Sequence, residues 1–326
     1  MYDVITIGSA TRDVFIRSQA LEIHEGNHQT GSSECCFPLG AKIEINELIN
    51  ETGGGATNAA VTFGRLKFKT GVLTSVGDDA SARDIFDALK KEKVSTALIQ
   101  IHPGAQTAYS AILLSGTGER TILVFRGASE KFFAEKIAWP KLKAKWFYVS
   151  SLGGDLDLME KILDHAAKEK VRVAWNPGSK ELKNGLERLA PLIRKCDVFN
   201  LNLEEAMQLV GTGDRDVKAI IAKLVTLPHR SVIVTDGQRG AYAADNGKIW
   251  HSGIIDVPRV NVTGAGDAFG SGVIAGLLKK DDLPFALAVG SWNSTGVVQQ
   301  MGAKRGIIRQ YPSAEEIKAV PVDLWS

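Results

Sequence analysis

The sequence has little cysteine: three residues in 326, at Cys35, Cys36 and Cys196. An odd count with two adjacent members supplies no disulfide framework, and a reducing cytoplasm is the expected compartment. It has no long apolar run; nothing approaches the ~20 residues of a membrane span. The opening MYDVITIGSATRD reads as one polar-flanked strand and carries neither the basic start nor the apolar stretch of a secretion signal. Charge of one sign is lacking too. With 39 basic residues against 37 acidic ones, binding to nucleic acid or a membrane surface is not expected. A 44% hydrophobic and 23% charged composition excludes disorder. Three signatures are missing: GxGxxG, GxxxxGK followed by Ser or Thr, and GxSxG. Their absence argues against a Rossmann dehydrogenase, a P-loop NTPase and a serine hydrolase.

What is abundant is glycine, 33 residues against a usual share of ~7%. Excess glycine means many tight turns, or backbone brought close to a ligand.

Short β-branched runs at 4–7, 71–76, 146–150, 171–175, 197–200 and 231–235 alternate with helical patterns. The helices are expected at 56–66, 80–91, 156–168, 203–210, 217–225, 264–278 and 283–299. Strands apolar on both faces alternating with helices predict an α/β fold, a doubly wound, mostly parallel sheet with helices on both faces. Two stretches break the rhythm. Residues 15–52 hold no helical pattern, and 107–125 read as a β-hairpin around Gly116 and Gly118. Together they predict a small β-sheet projecting from the core of a single domain spanning 1–326, its role that of a lid, an edge extension or a dimer contact.

Two glycine motifs carry chemistry. In Gly264-Ala265-Gly266-Asp267 a strand-like lead-in runs into a long apolar helix, so successive N–H groups there form an anion site. Asp267 alone has a plainer explanation, because an acid in the first turn complements the helix dipole. The dipole does not explain Gly264 and Gly266; the later Gly270, Gly272 and Gly276 are accounted for by close packing onto the sheet. The second motif, Gly53-Gly54-Gly55-Ala56-Thr57-Asn58, opens another helix; a flexible turn is an equal reading of it. His24-Glu25-Gly26-Asn27-His28 matches HExxH, with Cys35 and Cys36 nearby. That zinc motif works only on a helix, and Gly26-Asn27 within turn-rich sequence predicts a turn instead.

Taken in order, these residues resemble the ribokinase/PfkB family of carbohydrate and nucleoside kinases. The resemblance runs through a first strand ending in Asp13, Gly53-Gly54 to Asn58, Gly127-Ala128 and Asn176-Pro177-Gly178. It continues through Asn202-Leu203-Glu204-Glu205, Thr235 to Gly240, Gly264 to Asp267, and Asn293 in a late helix. It implies a ribokinase-like fold and ATP-dependent phosphorylation of a hydroxyl. Asp267 would be the general base, and the backbone of Gly264, Ala265 and Gly266 the anion hole. Asp13, Gly53, Gly54 and Asn58 would hold substrate hydroxyls. Thr235, Gly237, Gly240 and Asn293 would line the ATP site, with Asn293 near the adenine. Asn202 and Glu205 would organise Mg²⁺ through water. Segments 15–52 and 107–125 would form the lid, with a homodimer through it.

Two departures stand out. Members activated by a monovalent cation carry an aspartate two residues before the threonine that precedes the glycine motif. Here it is Asn261, which leaves K⁺ activation open with Thr263 as candidate ligand. Ribokinases proper carry lysine after the paired glycines, where this chain has Gly55. Arg126 offers a charge to an anionic substrate, or is simply a solvated strand end. A sugar or sugar-like acceptor is expected first and a nucleoside second, for which Phe15, Phe37 and Tyr109 are candidate stacking residues. A non-catalytic sensor and a zinc peptidase are remoter readings.

Overall fold

The computed structural model describes residues 1–18, 22–25, 33–114, 120–130 and 132–325. Gly116 and Gly118, and Gly26, Asn27 and His28, lie outside the described residues. The chain opens with β1 (Tyr2–Ile7) and crosses at once into a second sheet with β2 (Thr11–Arg17). A hairpin of β3 (Glu22–Glu25) and β4 (Ser33–Cys36) follows, then β5 (Glu47–Gly53) and α1 (Gly55–Arg65). Next come β6 (Thr70–Leu73), β7 (Ser75–Gly77), α2 (Ala80–Lys91), β8 (Gln100–His102), β9 (Ala108–Leu114) and β10 (Arg120–Phe125). Regular βα alternation then takes over with β11 (Ala144–Val149), α3 (Leu156–Glu169), β12 (Arg172–Trp175), α4 (Ser179–Leu182) and α5 (Gly185–Ile193). It continues with β13 (Val198–Asn202), α6 (Leu203–Val210), α7 (Val217–Leu224) and β14 (Ser231–Thr235). The chain closes with β15 (Ala241–Asp245), β16 (Lys248–Ser252), α8 (Ala265–Lys279), α9 (Leu283–Val298), α10 (Ala314–Ala319) and β17 (Val322–Leu324).

The main sheet has nine strands in the order β17-β16-β15-β14-β13-β12-β11-β1-β6. From β6 to β14 the pairing is parallel; the last three strands are antiparallel. Alternating side chains serve two cores. Ile5, Phe147, Val173 and Phe199 face α3, α5, α6 and α7, whereas Val4, Trp146, Tyr148 and Val198 face α1, α8 and α9. Strands buried on both faces need apolar residues at successive positions, which is why these runs lack polar alternation. Strand order turns back at β1, with β6 on one side and β11 on the other. Ligands in open α/β sheets bind beyond the strand C-termini at such a point.

A four-stranded sheet, β10-β9-β2-β5, stands beside this core. Phe15, Ile112 and Leu114 are its buried centre, so Phe15 packs and is not free to stack a base. The opening segment is thus two strands, not one. The first strand ends at Ile7, and Asp13 lies in the middle of β2, on the smaller sheet. The expected strand at 71–76 also divides: β6 stays in the main sheet while β7 pairs with β8. His24 stands on the strand β3 and not on a helix. Among the described residues no group of His, Cys, Asp or Glu side chains is arranged to hold a metal by itself. No described helix is long and apolar enough to cross a membrane.

Candidate active site

The five longest helices start in two ways. Asp79, Asp155 and Asp282 cap α2, α3 and α9 by accepting a first-turn N–H, which satisfies donors that a helix end otherwise leaves open. By contrast, α1 starts on Gly54 and α8 on Gly264, with no side-chain cap at either. Both uncapped ends face one site. Gly54 has φ +96°, and a Cβ there would come within 2.5 Å of the Ser9 carbonyl, so the turn admits only glycine. Gly264 has φ +79°, and a Cβ would overlap Ala303. At Gly266 a Cβ would meet open space, which leaves the first turn of α8 accessible from outside.

Asp267, in that first turn, accepts a hydrogen bond from Asn58 Nδ2 on α1 at 2.8 Å. The other amide atom, Asn58 Oδ1, is buried and carries no hydrogen bond. Asp13 packs against the backbone of Gly53, where a Cβ would overlap its carboxylate, and accepts from Thr11 Oγ1 at 2.8 Å. Burial pushes the Asp267 carboxyl above its ordinary range; the Asn58 bond and the Lys304 charge pull it down, and the Asp13 charge pushes it up. The structure therefore brings Asp13, Gly53, Gly54, Asn58 and Asp267 together, as the sequence suggested.

The backbone donors assigned to an anion hole from the sequence are not all open. The Ala265 N–H already donates to Val262 O at 3.2 Å, so the open first-turn donors are those of Gly266 and Asp267. Ala265 instead forms part of the wall of a mainly apolar cleft, which Gly237, Gly240, Val257, Ser294 and Val298 also line. The cleft thus reaches the start of α8 within two residues of Asp267.

Other expected residues sit differently. Asn293 is fully buried: its amide donates to Thr62 Oγ1 at 3.0 Å and Ala268 O at 2.7 Å, and it accepts from Ile308 N. It therefore braces α9 against α1 and α8 and does not line the cleft; its helix neighbours Ser291, Ser294 and Thr295 do. The Thr235 hydroxyl donates to Leu201 O at 3.4 Å, at the end of β14. Asn202 and Glu205 form a capping box at the start of α6, each accepting the other's N–H at 2.8 and 2.9 Å. Burial, with the charges of Asp267 and Glu204, holds the Glu205 carboxyl above its usual range against the Asn202 N–H that favours its ionised form. Thr263 Oγ1 is buried without a hydrogen bond, while the Thr263 N–H donates to Asn261 Oδ1 at 2.7 Å. Arg126 is exposed and pairs with Glu130 at 3.8 Å.

One residue at the site escaped the sequence reading. Lys304, in the turn after α9, is 8% exposed and sends its ammonium between β5 and α1. Nothing in the pattern around it, MGAKRG, marks a lysine that points inward.

Comparison with known proteins bears on the family and the fold. The model of the pfkB family of carbohydrate kinases matches residues 4–309. Ribokinase of Staphylococcus aureus (strain COL) is 27% identical over 290 residues, 86% of this chain and 92% of that protein. A fructokinase of Klebsiella pneumoniae is 28% identical over 245 residues, 71% of this chain and 78% of its own. The solved structure of Arabidopsis thaliana ribokinase complexed with ribose and ATP superimposes with a TM-score of 0.79 at 20% identity, covering 97% of each chain. The ribokinase-like α/β fold expected from the motifs is thus the observed one. With the match extending over nearly the whole sequence, the chain belongs to the pfkB family of carbohydrate kinases.

Proposed function

We propose that this protein transfers the γ-phosphoryl group of ATP to a hydroxyl of a sugar or sugar-like molecule, with Asp267 as general base. The observation that carries this reading is the position of Asp267. It faces Asn58 and Asp13 on one side and lies two residues from Ala265, in the wall of the apolar cleft, on the other. An adenine fits the cleft between Gly237, Val257 and Val298; the phosphates then reach the uncapped start of α8. The open Asn58 Oδ1 accepts a substrate hydroxyl, and Asp13 accepts another. That places the attacking oxygen beside Asp267, which takes its proton as the bond to phosphorus forms. The Gly266 and Asp267 N–H groups stabilise charge on the transferring group, a contribution of about 3–4 kcal/mol for each well-placed donor.

Mg²⁺ neutralises phosphate charge when bound. Glu205 fits it, as a half-buried carboxylate at the start of α6 whose ionisation the charges of Asp267 and Glu204 oppose. Asn202, tied to Glu205 in the capping box, would help hold the ion through water. The loop at Asn261 and Thr263 offers neutral oxygens only, and we read the enzyme as little activated by K⁺. The smaller sheet acts as a lid that excludes water. Its edge strand β10 exposes Leu123, Val124 and Phe125, which supports pairing with a second copy through that edge.

The test is an ADP-release screen over pentoses, hexoses, hexose phosphates and nucleosides. At least one sugar should be turned over, and Asp267→Ala should abolish that turnover while ATP still binds. Turnover of nucleosides alone would replace the acceptor class. Wild-type rates in Asp267→Ala would remove the base.

A further inference from the structure

The turn after α9 touches both glycine motifs. Ala303 packs against Gly264, and Arg305 pairs with Glu51 of β5 at 2.5 Å. Between them Lys304 points inward. Its ammonium donates to Thr52 Oγ1 at 2.9 Å and to Thr57 Oγ1 at 2.7 Å. The Thr57 hydroxyl donates in turn to the Gly53 carbonyl at 2.6 Å. From outside, Arg65 holds the turn in place through the carbonyls of Lys304, Arg305 and Ile307 at 2.8, 3.2 and 2.7 Å.

A buried ammonium is costly unless opposite charges face it. Two hydroxyls do not offset that, and packing alone would be served by methionine. The charged groups facing Lys304 are Asp13 on β2, Glu51 on β5, Asp267 on α8 and the Arg65 cation on α1. Burial prevails over the three carboxylates and pulls the ammonium down to about 7. It is therefore charged over the acidic range in which a carboxylate titrates. Asp267 faces Asp13, Lys304, Glu205 and the buried Tyr148 hydroxyl, in addition to Asn58. Among the described residues, Lys304 is the cation in that group.

We propose that Lys304 is a positioning residue for phosphoryl transfer: its ammonium fixes the Gly53–Gly54 turn through Thr57 and keeps the Asp267 carboxylate ready to take a proton. The proposal rests on the reading of Asp267 as base. Removing the charge raises the Asp267 carboxyl, so the acidic limb of the pH profile moves to higher pH.

The test uses the full chain with Lys304→Met and Lys304→Arg. For an accepted sugar, the acidic limb of kcat/KM in Lys304→Met should move up by about one pH unit. At pH 6.5 kcat should fall more than KM changes, and Lys304→Arg should restore the wild-type limb. An unmoved limb in Lys304→Met overturns the proposal, whatever the absolute rate. The Asp267 carboxyl can also be followed without turnover, by ¹³C titration of labelled aspartate assigned with Asp267→Asn. It should titrate higher in Lys304→Met, and an identical titration overturns the proposal even if no sugar is accepted. Should Lys304→Met fail to fold, the reciprocal measurement decides. Because the coupling is mutual, the ¹⁵N-labelled Lys304 ammonium should titrate lower in Asp267→Asn than in wild type. An unchanged value overturns the proposal. A wild-type chain that phosphorylates no sugar would remove the sugar-kinase reading while leaving these titrations valid.

Discussion

Asn58 and Asp267, far apart in sequence, meet across the two uncapped helix starts with Asn58 Nδ2 donating to Asp267 Oδ2 at 2.8 Å. This bond joins the two glycine motifs, the one proposed to hold the acceptor and the one proposed to carry the base. It also opposes the effect of burial on the Asp267 carboxyl.

Asn58→Leu keeps the volume and removes the donor. A hydrogen bond to a charged group is worth about 1.5–3 kcal/mol, so kcat/KM should fall about 10- to 100-fold. The sign of the pH effect follows: without the donor the ionised carboxylate is less favoured, so the acidic limb should move upward. A profile that drops in height without moving would make Asn58 a substrate ligand only.

Ser294 is half-buried on the wall of the apolar cleft. Ser294→Trp fills that space and should raise KM for ATP about tenfold or more, a loss of ~1.4 kcal/mol, with KM for the sugar nearly unchanged. Initial rates with each substrate varied in turn check this. A selective change in the sugar KM would put the nucleotide elsewhere.

Gly54→Ala places a Cβ against the Ser9 carbonyl at φ +96°. Backbone held in such a region costs about 1–3 kcal/mol for a residue other than glycine. Thermal unfolding of the variant should start at a clearly lower temperature, and the acceptor KM should rise because the turn beside Asp13 shifts.

Stability should respond to Lys304 in a set direction. Its ammonium titrates near ~10.4 in an unfolded chain and at about 7 in the folded protein. Between these values the unfolded state binds more protons, so folding gains stability as pH rises. The thermal midpoint of wild type relative to Lys304→Met should therefore increase from pH 7 to pH 9, and be least favourable below pH 7. A constant difference would show that the lysine is not buried as an ammonium.

Much of this architecture was legible. The run at 80–91 is a helix between those limits, and strands apolar on both faces marked the parallel sheet because burial on two sides forbids polar alternation. The paired glycines marked the site because an uncapped helix start leaves its signature in residue type. Legibility stopped where a side chain's direction depends on irregular backbone. Asp13 lay on the smaller sheet because the chain changes sheets after Ile7, which no periodicity encodes. Asn293 and Lys304 are polar residues whose partners come from distant segments, so sequence alone sent one toward the nucleotide and missed the other.

Gly272 and Gly276 of α8 also lie against the backbone of α9, where a Cβ would come within 2.9 Å of Gly290 Cα and 2.5 Å of Ala286 Cα. Those glycines serve a helix-to-helix contact, whereas Gly270 meets Tyr148 and Asn200 of the sheet. At these two points the helices meet with little but backbone between them, and close-packed contacts of that kind yield little. Asp267 on α8, proposed as the base, and the cleft wall on α9 are thus parts of one jig, which would fix the span between the proposed proton acceptor and the nucleotide. Under the proposed function, adjustment to acceptors of different size is expected on the other side, where Asp13 lies on the smaller sheet.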